Sequence, residues 1–348
     1  MRGLGLENRA ARVGLLAACV VVLALIGVYF QGGKLGVEYL RTEQLRRHLE
    51  VVEGHAGSPT QYRVLSEWLV GGWVDLLEAA GVPDPLVVGF LSFRVVQNIL
   101  ILGLAALYCW RLGLRFLSLL AALAVMTWSM THSLFDSDLS FNLYSDLIFY
   151  LGAALLILSG KDAWLVPLMG VAALNRETSG LIVLMFLLAR YRPGKRWDAR
   201  TLLIAGASVL VFIAVYLGVR WALGPRPITL PHGQVPGLDL LSFNVLQRQT
   251  WVHLAASWSV FPLIAVLGFG LMPSVLRRWL VWITPIWLIV HFFLAVAAEV
   301  RLMLMPQILI FVPGAFLALQ ADSPSAGTPP GMSAPDRREP GLDAGRAA

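Results

Sequence analysis

Charged side chains are scarce in this sequence. Asp, Glu, Lys and Arg make up 14 % of its 348 residues, against 57 % hydrophobic residues. With a mean hydropathy of +0.71, that composition excludes a soluble globular domain. Cysteine is nearly absent as well. Cys19 and Cys109 both lie inside apolar runs and read as packed hydrophobes rather than a disulfide or a metal pair. The common chemistry motifs GxxxxGK[ST], HExxH, CxxC and GxSxG are missing, and the six histidines fall at no metal-ligand spacing. A soluble nucleotide-dependent enzyme and a zinc hydrolase are therefore disfavoured. No internal repeat points to an inverted-repeat transporter.

Long apolar runs dominate instead. A helix needs roughly 20 residues to cross a bilayer, and spans are expected at 12–30, 86–110, 114–132, 144–159, 163–174, 178–190, 201–222, 251–272, 279–297 and 302–320. The expected fold is an all-α polytopic membrane protein of about ten transmembrane helices, with the membrane domain over 1–320. Arg2, Arg9 and Arg12 precede the first run, which is too long for a signal peptide and lacks a clear cleavage site. It reads as an uncleaved span. The tail 321–348, rich in Pro, Gly, Ser and Ala, is expected to be disordered and cytoplasmic.

The net charge of +6 is distributed unevenly. Arg111, Arg115, Lys161, the group Arg190, Arg192, Lys195, Arg196 and Arg200, and then Arg277 and Arg278 fall in alternate short links. The positive-inside rule places those links, and both termini, in the cytoplasm of a bacterial inner membrane. The basic balance then reports membrane orientation, and no nucleic-acid partner is expected.

Between two apolar runs stands Leu174-Asn175-Arg176-Glu177-Thr178. A charge in hydrocarbon costs roughly 2.5 to more than 10 kcal/mol, so this cluster must face protein or a wet cavity. One helix over 163–190 would be about 42 Å long and would carry the basic group at 190–200 to the outer side. Two short helices meeting at the motif keep that group inside. They leave Asn175, Arg176 and Glu177 in the wall of an outward cavity. A purely structural Arg–Glu pair remains the alternative.

The first outer loop, 31–85, reads as two amphipathic helices, the first lying along the membrane surface. The loop 132–146 carries Asp136, Asp138 and Asp146. Asp136 and Asp138 have DxD spacing, which in an outer loop is more often two solvated acids. Asp146 is either a helix N-cap or a cavity residue. The late outer loop, 224–250, is Pro- and Gly-rich. Glu299 and Arg301 mark a final outer turn. Arg63, Arg94, Arg176 and Arg301 sit on the outer side or in the outer third of a span, and Gln97 and Asn98 share a helix face with Arg94. Guanidinium groups bind phosphate in a bidentate fashion, and carboxylates serve as bases in sugar transfer.

The layout of one span, a long outer segment of amphipathic helices and many short spans resembles the membrane-embedded (GT-C) glycosyltransferase superfamily. So do the stretches Gln61-Tyr62-Arg63-Val64-Leu65, Asn175-Arg176-Glu177-Thr178 and Glu299-Val300-Arg301 followed by Pro306. The resemblance implies transfer of a sugar from a polyprenyl-phosphate-linked donor at the outer face. The expected catalytic carboxylates are Glu177, Asp146 or Glu38, supplying the base or orienting the sugar. The expected substrate site includes Gln61, Tyr62, Arg63, Arg94, Gln97, Asn98, Asp136, Asp138, Asn175, Arg176, Glu299 and Arg301, with Arg63, Arg94, Arg176 and Arg301 on the carrier phosphate. The first outer segment holds no adjacent acidic pair, and Glu38, close behind the first span, is the nearest match. No cofactor is indicated, and participation of a divalent metal stays open. The rival readings are a transporter or flippase for a lipid-linked or anionic solute, a surface-polysaccharide polymerase or ligase, and a membrane scaffold.

Overall fold

The computed structural model describes residues 9–134, 138–228 and 235–322. Helix accounts for 82 % of it, and no strand forms among the described residues. In chain order the helices are α1 (Arg9–Leu35), α2 (Val37–Tyr39), α3 (Leu45–Val52), α4 (Val64–Ala79), α5 (Pro85–Arg111), α6 (Phe116–His132) and α7 (Phe141–Leu158). They continue with α8 (Leu165–Asn175), α9 (Leu181–Arg190), α10 (Ala199–Leu223), α11 (Leu238–Leu246), α12 (Arg248–Trp258) and α13 (Phe261–Leu267). The last four are α14 (Ser274–Arg278), α15 (Thr284–Leu294), α16 (Leu304–Pro306) and α17 (Val312–Asp322).

Local sequence explains the boundaries. α1 contains no proline and stops at Gly36, whose φ of 81° suits a residue without Cβ. α5 begins on Pro85, at a position where the missing N–H would have had no helical partner. The Asp198 carboxylate accepts the Thr201 N–H at 2.8 Å and caps α10.

Among the described residues six helical runs are long and apolar enough to cross a membrane: Ala10–Leu35, Pro85–Arg111, Phe141–Leu158, Ala199–Leu223, Ser274–Leu294 and Val300–Ala321. α12 and α13 together would make a seventh, but they bend by 68° about Ser259, whose φ is 51°. This is a membrane protein by the composition of its helices, yet the expected ten spans are not confirmed. α6 has 17 residues, α8 has 11 and α9 has 10. At 1.5 Å per residue each is shorter than the roughly 30 Å hydrocarbon core.

Burial separates the centre of the bundle from its rim. Within Val300–Ala321, 89 % of the apolar window is buried, against 22 % in α1 and 17 % in α10. The final helix is thus the axis, and α1 and α10 present apolar faces outward. Between α16 and α17 it makes a π turn, Gln307–Phe311, which loosens the backbone ladder, and the Tyr108 hydroxyl donates to the Leu309 carbonyl there at 2.9 Å. Backbone left free in an apolar interior needs such partners. The Trp287 and Trp258 indoles serve the same purpose for the carbonyls of Leu302 (2.8 Å) and Met303 (3.1 Å).

The helix ends sort into two sets. At one end Arg111 donates to Ser159, Arg190 pairs with Asp162, Arg278 donates to the Leu188 carbonyl, and Gln320 bonds Gly113 and Arg115. These are the basic links. At the opposite end Arg41 pairs with Asp84, Arg47 with Asp138, and Arg63 with Glu177, and the Ser58 N–H donates to the Pro227 carbonyl at 2.8 Å.

Candidate functional site

The motif at 175–178 is built by a break in the helix. Asn175 ends α8, Arg176 is extended (φ −157°, ψ 147°), and a 3-10 turn over Glu177–Gly180 leads into α9. Because Asp162, ahead of α8, pairs with Arg190 at the end of α9, the two short helices form a hairpin. Its tip carries Arg176 and Glu177 toward the end away from the basic links. The Ser179 hydroxyl donates back to the Arg176 carbonyl at 2.7 Å, and the Tyr150 hydroxyl donates to that of Thr178.

Above this tip lies a cavity of about 580 Å³. Arg63, Asp138, Arg176, Glu299 and Arg301, all expected from sequence, line it. Glu177 stands at its edge and is ion-paired with Arg63. Asp146 lies behind Arg176, its Oδ2 3.7 Å from the guanidinium Nε, and accepts the Thr178 hydroxyl at 2.9 Å. It is a buried partner of the motif and makes no side-chain N-cap. Asn175 is fully buried beneath the cavity floor. It accepts from Ser66 at 2.7 Å and donates to the Asn142 carbonyl at 2.6 Å. Gln97 joins this layer by donating to Ser145 at 2.9 Å.

Several expected residues are elsewhere. Glu38 is exposed on α2 and does not line the cavity. It lies two residues after Gly36, where the chain turns off α1. Gln61 closes the bend between α3 and α4 by accepting the Ala56 N–H and donating to the Val51 carbonyl, each at 2.9 Å. The Tyr62 hydroxyl donates to the Gly224 carbonyl at 2.9 Å, and Arg220 covers its ring. Both shape the fold outside the cavity wall. Arg94 is fully buried, with its guanidinium 3.5 Å over the Tyr144 ring, and does not line the cavity. Asn98 faces α1, where the Ala24 carbonyl lies at 3.5 Å. Asp136 lies outside the described residues, as do part of the late outer loop and the tail. Among the described residues no group of three or more His, Cys, Asp or Glu could hold a metal ion.

The remaining wall comes from α3 and α4. The first amphipathic helix does not keep all its polar groups in solvent: Gln44 and His48 are buried, and Arg46, Arg47 and Glu50 line the cavity. A wet cavity makes that inward polar face possible, while Leu49 and Val52 stay outside. Arg47 pairs with Glu43 at 3.0 Å and with Asp138 at 2.8 Å. Arg301 pairs with Asp138 and with Glu299, the latter at 2.8 Å. Glu67, on α4, lines the cavity and is hydrogen-bonded by the His48 Nδ1 at 2.8 Å. Sequence reasoning missed Arg47, His48 and Glu67. Glu43 and Arg47 have the i,i+4 spacing of an ordinary surface pair, which conceals the third partner.

Electrostatics divide these acids. Burial alone would push the Asp138 carboxyl up, but Arg301 and Arg47 overcome it and hold the group below the usual carboxylate range. Hydrogen bonds from Arg46 and Arg47 bring Glu43 down to about 2. Glu67 goes the other way: burial raises it, against the opposing His48 hydrogen bond.

One side of the cavity is apolar, formed by Leu294, Ala295 and Val296. Leu294 is itself exposed. Comparison of the chain with protein-family profiles, with curated proteins and with solved structures returned no match.

Proposed function

We propose that this protein transfers a sugar from a polyprenyl-phosphate-linked donor to an acceptor hydroxyl at the outer face of the bacterial inner membrane. In this reading the basic links and both termini are cytoplasmic and the chain crosses about ten times, with α8 and α9 as a short hairpin. One observation carries it. Arg63, Asp138, Arg176, Glu299 and Arg301, from widely separated parts of the chain, line a single chamber at the end opposite the basic links. Leu294, Ala295 and Val296 give the chamber one apolar side, which suits a ligand with a polar head and a hydrocarbon tail. Opposed cations and carboxylates suit a donor whose bond breaks between an anomeric carbon and a phosphate oxygen.

In the reaction the acceptor hydroxyl oxygen attacks the anomeric carbon, the bond to the carrier phosphate breaks, and the phosphate leaves on its lipid with the electron pair. Arginines at the chamber wall neutralise the leaving phosphate. The acceptor proton needs a base. Glu67 is better suited than Asp138: its carboxyl is raised and hydrogen-bonded by His48, whereas two arginines make Asp138 a weak base. Glu177 and Asp146 hold Arg63 and Arg176 in place.

The test is a transfer assay in proteoliposomes containing the purified full chain, radiolabelled polyprenyl-phosphate sugars and extracted envelope acceptors. Label moving from the lipid to an acceptor, and lost in Glu67→Gln with unchanged folding, is the expected result. Label that crosses the bilayer still attached to its lipid identifies a flippase instead.

A further inference from the structure

Five charged groups from three separate stretches, all but Glu43 lining the chamber, are joined in one row: Glu43, Arg47, Asp138, Arg301 and Glu299. Its centre is unusual. Asp138 gives Oδ2 to the Arg47 guanidinium at 2.8 Å and Oδ1 to that of Arg301, and Ser140, two residues on, also accepts from Arg301. The outer carboxylates, Glu43 and Glu299, sit close in sequence to their own arginines and orient each guanidinium from behind. Two oriented guanidinium groups and a hydroxyl around one small oxyanion are the donor set that binds a phosphate group. Here a carboxylate of the protein's own chain occupies it, on the chamber wall, with 14 % of its side chain exposed.

We propose that Arg47 and Arg301 form a clamp for a phosphate monoester or diester, and that Asp138 is its built-in occupant, displaced when the phosphate arrives. The clamp joins α3, the loop ahead of α7 and the turn ahead of α16, so it ties three segments across the chamber. Exchange of Asp138 for phosphate preserves the charge that the two arginines need, and no buried cation is left unpaired at any point. A bare pair of arginines would bind any small anion. A resident carboxylate sets a threshold that a doubly charged or apolar-anchored phosphate passes more readily than chloride. The identity of that phosphate as a lipid head group rests on the sugar-transfer reading. The clamp itself does not.

The experiment uses the purified full chain in detergent with two probes, farnesyl phosphate and inorganic phosphate. Asp138→Asn should bind farnesyl phosphate about tenfold more tightly than the unmodified chain, because a competing charged acceptor is gone. Adding Arg47→Gln or Arg301→Gln to that variant should abolish the gain. Unchanged or weaker binding by folded Asp138→Asn overturns the proposal. A second measurement needs no variant: modification of the unmodified chain with phenylglyoxal, mapped by mass spectrometry. Protection of Arg47 and Arg301 by either probe supports the clamp, and the probe that protects at lower concentration identifies a lipid or a free phosphate. Protection by neither overturns it. Binding and protection are read without sugar transfer, so a failed transfer assay with an intact clamp counts against the enzyme reading alone.

Discussion

Arg176 Nε and Asp146 Oδ2 face each other at 3.7 Å with side chains only 3 % and 4 % exposed, one at a helix break and the other inside α7. Among the described residues neither Arg176 Nε nor Asp146 Oδ1 has a hydrogen-bond partner, so each charge rests largely on the other. Removing one partner of such a pair leaves a buried charge uncompensated. Asp146→Ala and Arg176→Ala should each cost about 3–5 kcal/mol. The double variant should cost clearly less than the sum of the two. Thermal melts in detergent give all three values, and strict additivity would show the charges to be uncoupled.

Arg63 and Glu177 make the second pair, spanning 114 positions of sequence. They are more accessible, with side chains 15 % and 31 % exposed. Glu177→Gln should therefore cost no more than about 1–2 kcal/mol and should still lower sugar transfer at least tenfold by loosening Arg63. The swapped pair Arg63→Glu with Glu177→Arg should recover the stability but not the transfer. Melting curves and the proteoliposome assay run on the same preparations separate the two effects.

Acid should weaken the chamber in a definite order. Glu43 and Asp138 have folded-state values depressed by their arginines. Their contribution to stability is complete above the usual carboxylate range near 4 and is lost as pH falls toward about 2, the Glu43 value. Glu67 is raised by burial, so it favours the fold below the ordinary range and opposes it as pH rises through its own value. Melting temperature measured from pH 7 down to 3 should fall for the unmodified chain. Asp138→Asn should flatten that fall, and Glu67→Gln should raise the plateau near neutral pH.

Sidedness is checked by chemical labelling. With Cys19 and Cys109 replaced by Ser, single cysteines are introduced as His55→Cys, beside the chamber, and Lys195→Cys, in the basic link between α9 and α10. In spheroplasts a membrane-impermeant maleimide should modify position 55 directly and position 195 only after permeabilisation. Both reacting from the same side would contradict the orientation proposed for the chain.

Helical spans and the grouping of basic links were legible because both are local patterns. An apolar run of bilayer length has few alternatives to a helix, and a charge either belongs near a membrane surface or needs a partner. The same reasoning located the break at Arg176, since two charges and an amide between apolar runs cannot lie against lipid. It left the count of about ten spans unconfirmed, because hydropathy does not separate a crossing helix from a short one packed beside its neighbours, and α6, α8 and α9 fall short of bilayer length. It also did not find the cavity-lining face of α3. Arg47 has a satisfactory partner four residues away in Glu43, and nothing local reveals Asp138 as a second.

Composition and the order of residues alone determined that the chain is helical and membrane-borne and where its buried charges had to find company, because those outcomes follow from transferring each side chain between water and hydrocarbon. Only the folded arrangement decided which partner each charge found. It set Arg47 and Arg301 on Asp138, Arg63 on Glu177 and Arg176 on Asp146, and it placed Glu38 in solvent and Arg94 under Tyr144. Those pairings join segments from 30 to 163 residues apart and rest on how helices pack around the final one, which no stretch of sequence encodes by itself.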